Sequence, residues 1–335
     1  QFMRSDIDAD SGDSSGYGSF NAIQYMPSDR WEFEFSLLYY GDTLDINDMG
    51  YLRRNDLEEW YLSFKHNKTD FPEESRTASV SWTAFGQWPS NMAGVKLNKS
   101  MMMMRSQKMR SGSEFSLRLN ALFQGYDDLI SRDHGLVYLK NRFNGGLTYS
   151  TPRRGAWRKS LGVEFIQEGY EGWGAGLQGS LTWYPYEKLS VDFSVQPRWS
   201  RDWLIWLADN QFGGYARSNI TGKVTANWFP AEKHEVRLNA QWLTIDAEGQ
   251  QGYSIGSRGR LVRNDASISD FAMVNFGLQV RYRYEIAPLS DFYIVYSRGG
   301  LDRIDNPDQG TMGLLGDSTS LRDSDQFLVK LRYGF

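Results

Sequence analysis

The sequence predicts an all-β protein: a transmembrane antiparallel outer-membrane β-barrel of about sixteen strands. Three observations lead there. Long stretches alternate apolar and polar residues with period two, as a strand does when its side chains point to opposite faces. Short proline-bearing turns fall at one end of these stretches and long polar loops at the other. No apolar run approaches the roughly 20 residues that a membrane helix needs. A barrel escapes that test because its strands dilute the hydropathy signal.

The longest alternation begins at Ala272. Ala272, Val274, Phe276, Leu278, Val280, Tyr282, Tyr284 and Ile286 fall on one face, with Met273, Asn275, Gly277, Gln279, Arg281, Arg283 and Glu285 on the other. Similar patterns start at Trp31, Phe115, Leu189 and Val236. A soluble antiparallel sheet would alternate in the same way, so the strand ends must discriminate. Pro27, Pro185, Pro230 and Pro288 each precede a short polar turn, and Pro72 and Pro152 open two more connections. Proline cannot donate to a ladder and belongs at such ends. The expected long loops are Gly41–Asp56, Gly125–Gly135, Arg201–Gly214, Gly249–Asp270 and Gly299–Ser324. Short periplasmic turns and long extracellular loops describe a bacterial barrel.

Strands are expected at 18–27, 31–40, 57–67, 76–86, 92–105, 113–124, 139–151, 158–168, 173–184, 188–200, 214–229, 233–246, 271–287, 290–298 and 325–335. That makes fifteen, whereas bacterial barrels usually carry an even number. Gln1–Ser5 is expected to end a sixteenth strand that starts upstream, in a longer chain. Residues 1–335 read as a single barrel domain. Pro197 interrupts an expected strand and predicts a bulge or an early stop. The last strand places Phe327, Val329, Leu331, Tyr333 and Phe335 on one face. This resembles the terminal signal that the barrel-assembly machinery reads.

Net charge is −4, so no basic footprint argues for nucleic acid. The absence of cysteine removes disulfides and thiolate chemistry. An aromatic content of 15% suits interfacial girdles, and equally a soluble sugar-binding sandwich.

"LDINDMGYLRRNDLEEW" (Leu44–Trp60) and "RYRYEIAPLSDFYIVYSRG" (Arg281–Gly299) resemble segments of an uncharacterised barrel domain. In large Gram-negative outer-membrane proteins that domain follows a sandwich similar to a family-nine carbohydrate-binding module. The run from Asn47 to Asp56 is the most specific part of the likeness. The resemblance implies a place and a fold, with no catalytic residues attached.

The search for chemistry returns little, and neither an enzyme nor a cofactor is expected. His66, His134 and His234 lie far apart. Asp127, Asp128, Asp133 and His134 share one loop, whereas a barrel protease gathers its residues from separate strands. Asp6, Asp8 and Asp10 have calcium-loop spacing, but Tyr17 stands where a bidentate Glu is needed. The run Met101–Met104 alternates faces, so it reads as apolar filler before it reads as a copper site.

The charged parity is more informative. Lys140, Arg142, Arg237, Arg281, Arg283, Glu285, Lys330 and Arg332 are expected to line a lumen. An Arg or Lys facing lipid at mid-depth would cost roughly 2–4 kcal/mol. Their basic excess favours anions in an open pore, and a bracing lattice of ion pairs would use the same residues. Asp48, Gly50, Arg53 and Arg54 are expected to fold into the mouth as a constriction, with a surface loop as the alternative. The function expected is a channel for small anionic or saccharide solutes. The alternative is a non-conducting anchor for a periplasmic or extracellular protein partner. Membrane lipids and the assembly machinery are the other expected partners.

Overall fold

The computed structural model describes residues 1–7, 14–46, 52 and 54–334. The chain is all-β apart from one short helix and one helical turn, and its strands make a large antiparallel sheet. The sheet starts with β1 (Phe2–Ile7), β2 (Ser14–Ser28), β3 (Trp31–Tyr40), β4 (Leu57–Lys68), β5 (Thr77–Ser90), β6 (Ser100–Met109) and β7 (Glu114–Leu122). A separate small hairpin follows, β8 (Gly125–Asp127) with β9 (Val137–Leu139). The main sheet resumes with β10 (Arg142–Ser150), β11 (Trp157–Ile166), β12 (Gly174–Tyr186), β13 (Leu189–Ala208), β14 (Gln211–Ala231) and β15 (His234–Ile255). β16 (Leu261–Asn264) pairs only with the far end of β15. β17 (Phe271–Ala287), β18 (Ser290–Asp305) and β19 (Ser324–Arg332) complete it.

Leaving out the β16 spur, each strand pairs antiparallel with the next, β7 with β10 and β15 with β17. Sixteen strands thus form one run. Among the described residues no register joins β1 to β19.

The registers carry one face through the whole run. Glu34 lies opposite Ser63, Lys65 opposite Thr83, Arg118 opposite Gly146, and Glu164 opposite Gly176. Ser194 lies opposite Lys223, Arg237 opposite Arg281, and Asp291 opposite Arg332. A one-residue slip anywhere would flip every later side chain. The polar parity instead holds from β2 to β19, and the other face is mainly apolar, with isolated charges such as Arg105 and Lys159. Its residues are not packed away: Ile23 is 70% exposed, Leu161 64% and Phe327 69%. The helix α1 (Thr311–Ser318) lies on that face. Its Leu314 covers Ala272 and Val274 near the long-loop end.

Three expectations are corrected. Arg201–Gly214 is no loop: β13 and β14 continue through it to a tight turn at Asp209–Asn210. β15 likewise runs on to Ile255, so these strands reach 20, 21 and 22 residues. The expected strand 92–105 starts only at Ser100, and the stretch before it is a turn with isolated bridges. Pro197 makes neither a bulge nor a stop. It pairs in register with Ile220 of β14. On the β12 side, the two pairs joining Leu177–Gln178 to Gln196–Pro197 are missing, while the register before and after them is the same. The absent N–H of proline therefore leaves a gap in one ladder and spares the other.

Candidate functional site

The polar face gathers charge most densely on β15, β17, β18 and β19, beside the short turns. Glu235 lies opposite Arg283, and Arg237 opposite Arg281. Arg237 donates to the Glu235 carboxylate, and Arg281 and Arg283 each approach it at 3.7 Å. Arg283 also donates to Asp291 at 2.8 Å and approaches Glu285 at 3.8 Å. Arg332 stands opposite Asp291, and Lys330 opposite Tyr293. Glu235 is only 5% exposed, so its charge needs the three guanidiniums around it. Five cations here face three carboxylates, and Lys330 forms no ion pair among the described residues.

A second pair spans a whole strand. Arg198 of β13 reaches Glu164 of β11 in a two-pronged contact, with Nη2 to Oε2 at 3.0 Å, and Gln196 adds 3.1 Å. Gly176 of β12 lies between them in register. A Cβ there would stand 2.3 Å from Glu164 Oε1, so glycine leaves the gap through which the charges meet. Beside this pair a polar-face cavity of about 330 Å³ is lined by Arg118, Glu164, Gln178, Thr148 and Ser116. Arg118 and Lys223 are exposed and have no ion-pair partner among the described residues.

The long-loop end is knitted together. Arg54 donates twice to Asp128, at 3.1 and 2.6 Å, joining the β3–β4 connection to the β8–β9 hairpin. Val137, Leu139 and Ile130 of that hairpin region pack with Leu204, Phe212 and Tyr253 of the extended strands. Asp202 Oδ2 accepts the backbone N–H groups of Tyr170, Glu171 and Gly172 at 3.0, 2.6 and 3.1 Å, which fixes the β11–β12 loop. Glu171 then accepts from Lys140 at 2.8 Å and from Arg263 at 2.9 Å. The Lys140 hydrogen bond, with Arg263 behind it, holds the Glu171 carboxyl below the usual carboxylate range.

The expected lumen residues Arg142, Arg237, Arg281, Arg283, Glu285, Lys330 and Arg332 share the polar parity. Lys140 precedes β10 and belongs to the loop clamp. Phe327, Val329 and Leu331 lie on the apolar face and Tyr333 follows β19, while Phe335 falls outside the described residues. So do Asp48, Gly50 and Arg53 of the expected constriction, and Asp8 and Asp10 of the calcium spacing. Asp6 pairs with Arg4. His134 turns Nδ1 to the carbonyl of Arg132 at 2.9 Å, away from any general-base geometry with Asp133.

The domain of unknown function DUF5916 matches residues 1–333. The chain belongs to this family. Neither the curated proteins nor the solved structures yielded a match. In this DUF5916 chain the sequence pattern missed the Asp202 loop clamp and the bridge across Gly176. Both depend on which strands become neighbours. The one visible signal was glycine at alternate positions, Gly174 and Gly176, inside an otherwise regular strand.

Proposed function

We propose that the sheet closes into a sixteen-strand barrel in the outer membrane of a Gram-negative bacterium. Its polar face is the lumen, and its surplus cations make it a path for small anionic or saccharide solutes. The observation that carries this reading is the parity: one face rich in charge and one exposed aromatic and aliphatic face, kept in register from β2 to β19. A soluble monomer rarely exposes more than a few hundred Å² of contiguous apolar surface, whereas lipid is a natural solvent for this face. Short turns then face the periplasm and the knitted loops face outward. The apolar row of β19 is what the assembly machinery would read, and the resemblance to barrels that follow a carbohydrate-binding sandwich favours a saccharide cargo.

A second reading has its own support. The tied long-loop end favours a non-conducting anchor that holds a partner at the membrane. Single-channel recording of the protein in planar bilayers decides between them. The pore reading expects discrete openings with a reversal potential on the anion side in a salt gradient, shifted toward cations by the double substitution Lys330→Glu, Arg332→Glu. A barrel that inserts and stays silent is the anchor.

A further inference from the structure

The apolar face carries a groove of about 690 Å³ between β10 and β15. Tyr149, Leu161, Leu181, Phe193, Val195 and Trp242 form much of its wall. Gly179 lies in its lining and contributes no side chain, so the wall sinks there. From β11 to β15 the groove crosses four strand intervals, about 19 Å at ~4.8 Å each. Its exposed lining is almost wholly hydrocarbon; of its two lysines, Lys223 belongs to the parity of the opposite face and Lys159 stands at one end on the groove's own face.

Lys159 stands on the apolar parity of β11, opposite Leu181 and two residues beyond Trp157. It is exposed and forms no ion pair among the described residues. Trp157 stacks on Trp183 of β12 with ring centroids 5.7 Å apart, at the short-turn edge of the same face. Tryptophan favours the level of lipid headgroups, which places the lysine ammonium at that level too. The adjoining turn deepens the charge. Residues 151–159, the turn and the start of β11, contain Arg153, Arg154, Arg158 and Lys159 and no carboxylate at all. The turns at Asp29–Arg30, Glu187–Lys188 and Glu232–Lys233 each balance a cation with an acid. The all-basic connection therefore sits where the groove opens.

We propose that this groove is a binding site for one anionic glycerophospholipid of the leaflet on the short-turn side. An acyl chain lies along Leu161, Gly179, Phe193 and Trp242, and the phosphate meets Lys159. A phosphate brought to an unpaired ammonium at the membrane surface gains about 1 kcal/mol per lysine, roughly a fivefold preference. A zwitterionic lipid fills the groove equally well but lacks that net gain. The assignment rests on the membrane reading above.

The test uses the full chain refolded in an uncharged detergent. Flotation with phosphatidylcholine vesicles checks the membrane reading by itself. Native mass spectrometry then follows retention of phosphatidylglycerol against phosphatidylcholine at equal concentration. The wild type should retain phosphatidylglycerol at least about fivefold over phosphatidylcholine, and Lys159→Gln should lower that ratio about fivefold. Gly179→Leu should lower retention of both lipids. A Cβ at Gly179 would lie 3.7 Å from Val195, an ordinary contact, so the strand accepts the side chain. Unchanged heat-modifiability on gels confirms that both variants fold. A protein that floats but shows equal retention of the two lipids overturns the site and leaves the membrane reading standing. So does a ratio untouched by Lys159→Gln, or displacement of phosphatidylglycerol by lipid A at equal concentration. Failure to float overturns the membrane reading, and the site with it.

Discussion

Glu235 makes the energetic case for the polar face. Its carboxylate is nearly sealed from solvent beneath Arg237, Arg281 and Arg283. Removing one partner of such a group leaves the others uncompensated, while water on the arginine side screens part of the loss. Glu235→Ala should lower stability by about 1–3 kcal/mol, read as a fall in the temperature at which the folded band converts on a gel. An unchanged transition would mean that the arginines repel little without it. The alternation of this segment was legible in the sequence. The burial of Glu235 was not, because it depends on Arg281 and Arg283 arriving from a strand more than forty residues away.

β19 gives the sharpest check of the register. Val329 lies opposite Ile294 on the apolar face, and Leu328 lies opposite Val295 on the polar face. Val329→Arg should cost roughly 2–4 kcal/mol in a bilayer and lower the folded yield in vesicles. Leu328→Arg, one residue away, should be tolerated. Equal effects would overturn the assignment of faces. In β12 the test is Gly176→Val. The new side chain would displace Glu164 and break its bridge to Arg198, at a cost of about 1–2 kcal/mol. The same cost should vanish in an Arg198→Met, Glu164→Gln background, since no bridge remains to be broken. Most strands were legible from period two alone. The upper halves of β13 to β15 were not, because "RDWLIWLA" (Arg201–Ala208) puts apolar residues on both parities. The structure explains that pattern: loops pack against these extensions on a second side.

Across the whole molecule the two ends of the sheet differ in kind. At the short-turn end the ion pairs lie between neighbouring strands, while at the long-loop end they tie separate connections together. Lys140 and Arg263 depress the folded-state pKa of Glu171, so the clamp contributes stability above the unfolded carboxylate value of about 4.3. That contribution is lost as pH falls through the lowered folded value. Hydrogen exchange of the β11–β12 loop should therefore accelerate on acidification below about pH 4, and Glu171→Gln should show the fast exchange already at neutral pH. A loop indifferent to both would assign its order to Asp202 alone. Opening the other tie with Arg54→Ala should raise conductance if the pore reading holds. Equal conductance would place the Arg54–Asp128 contact clear of the solute path. These ties escaped the sequence because each joins connections far apart in the chain, and no local pattern announces a partner 74 residues away.

The uneven strand lengths have a practical consequence. A tilted strand of about 10 residues crosses a bilayer, yet β14 and β15 run for 21 and 22. On the barrel reading the surplus would project beyond the bilayer, with the Asp209–Asn210 turn at its tip, where Asp209 adopts a left-handed backbone. If the outer-membrane reading holds with the long loops outward, that tip is open to an antibody or phage on the cell surface. It is the place to insert an epitope when asking, on intact bacteria, which way this protein faces.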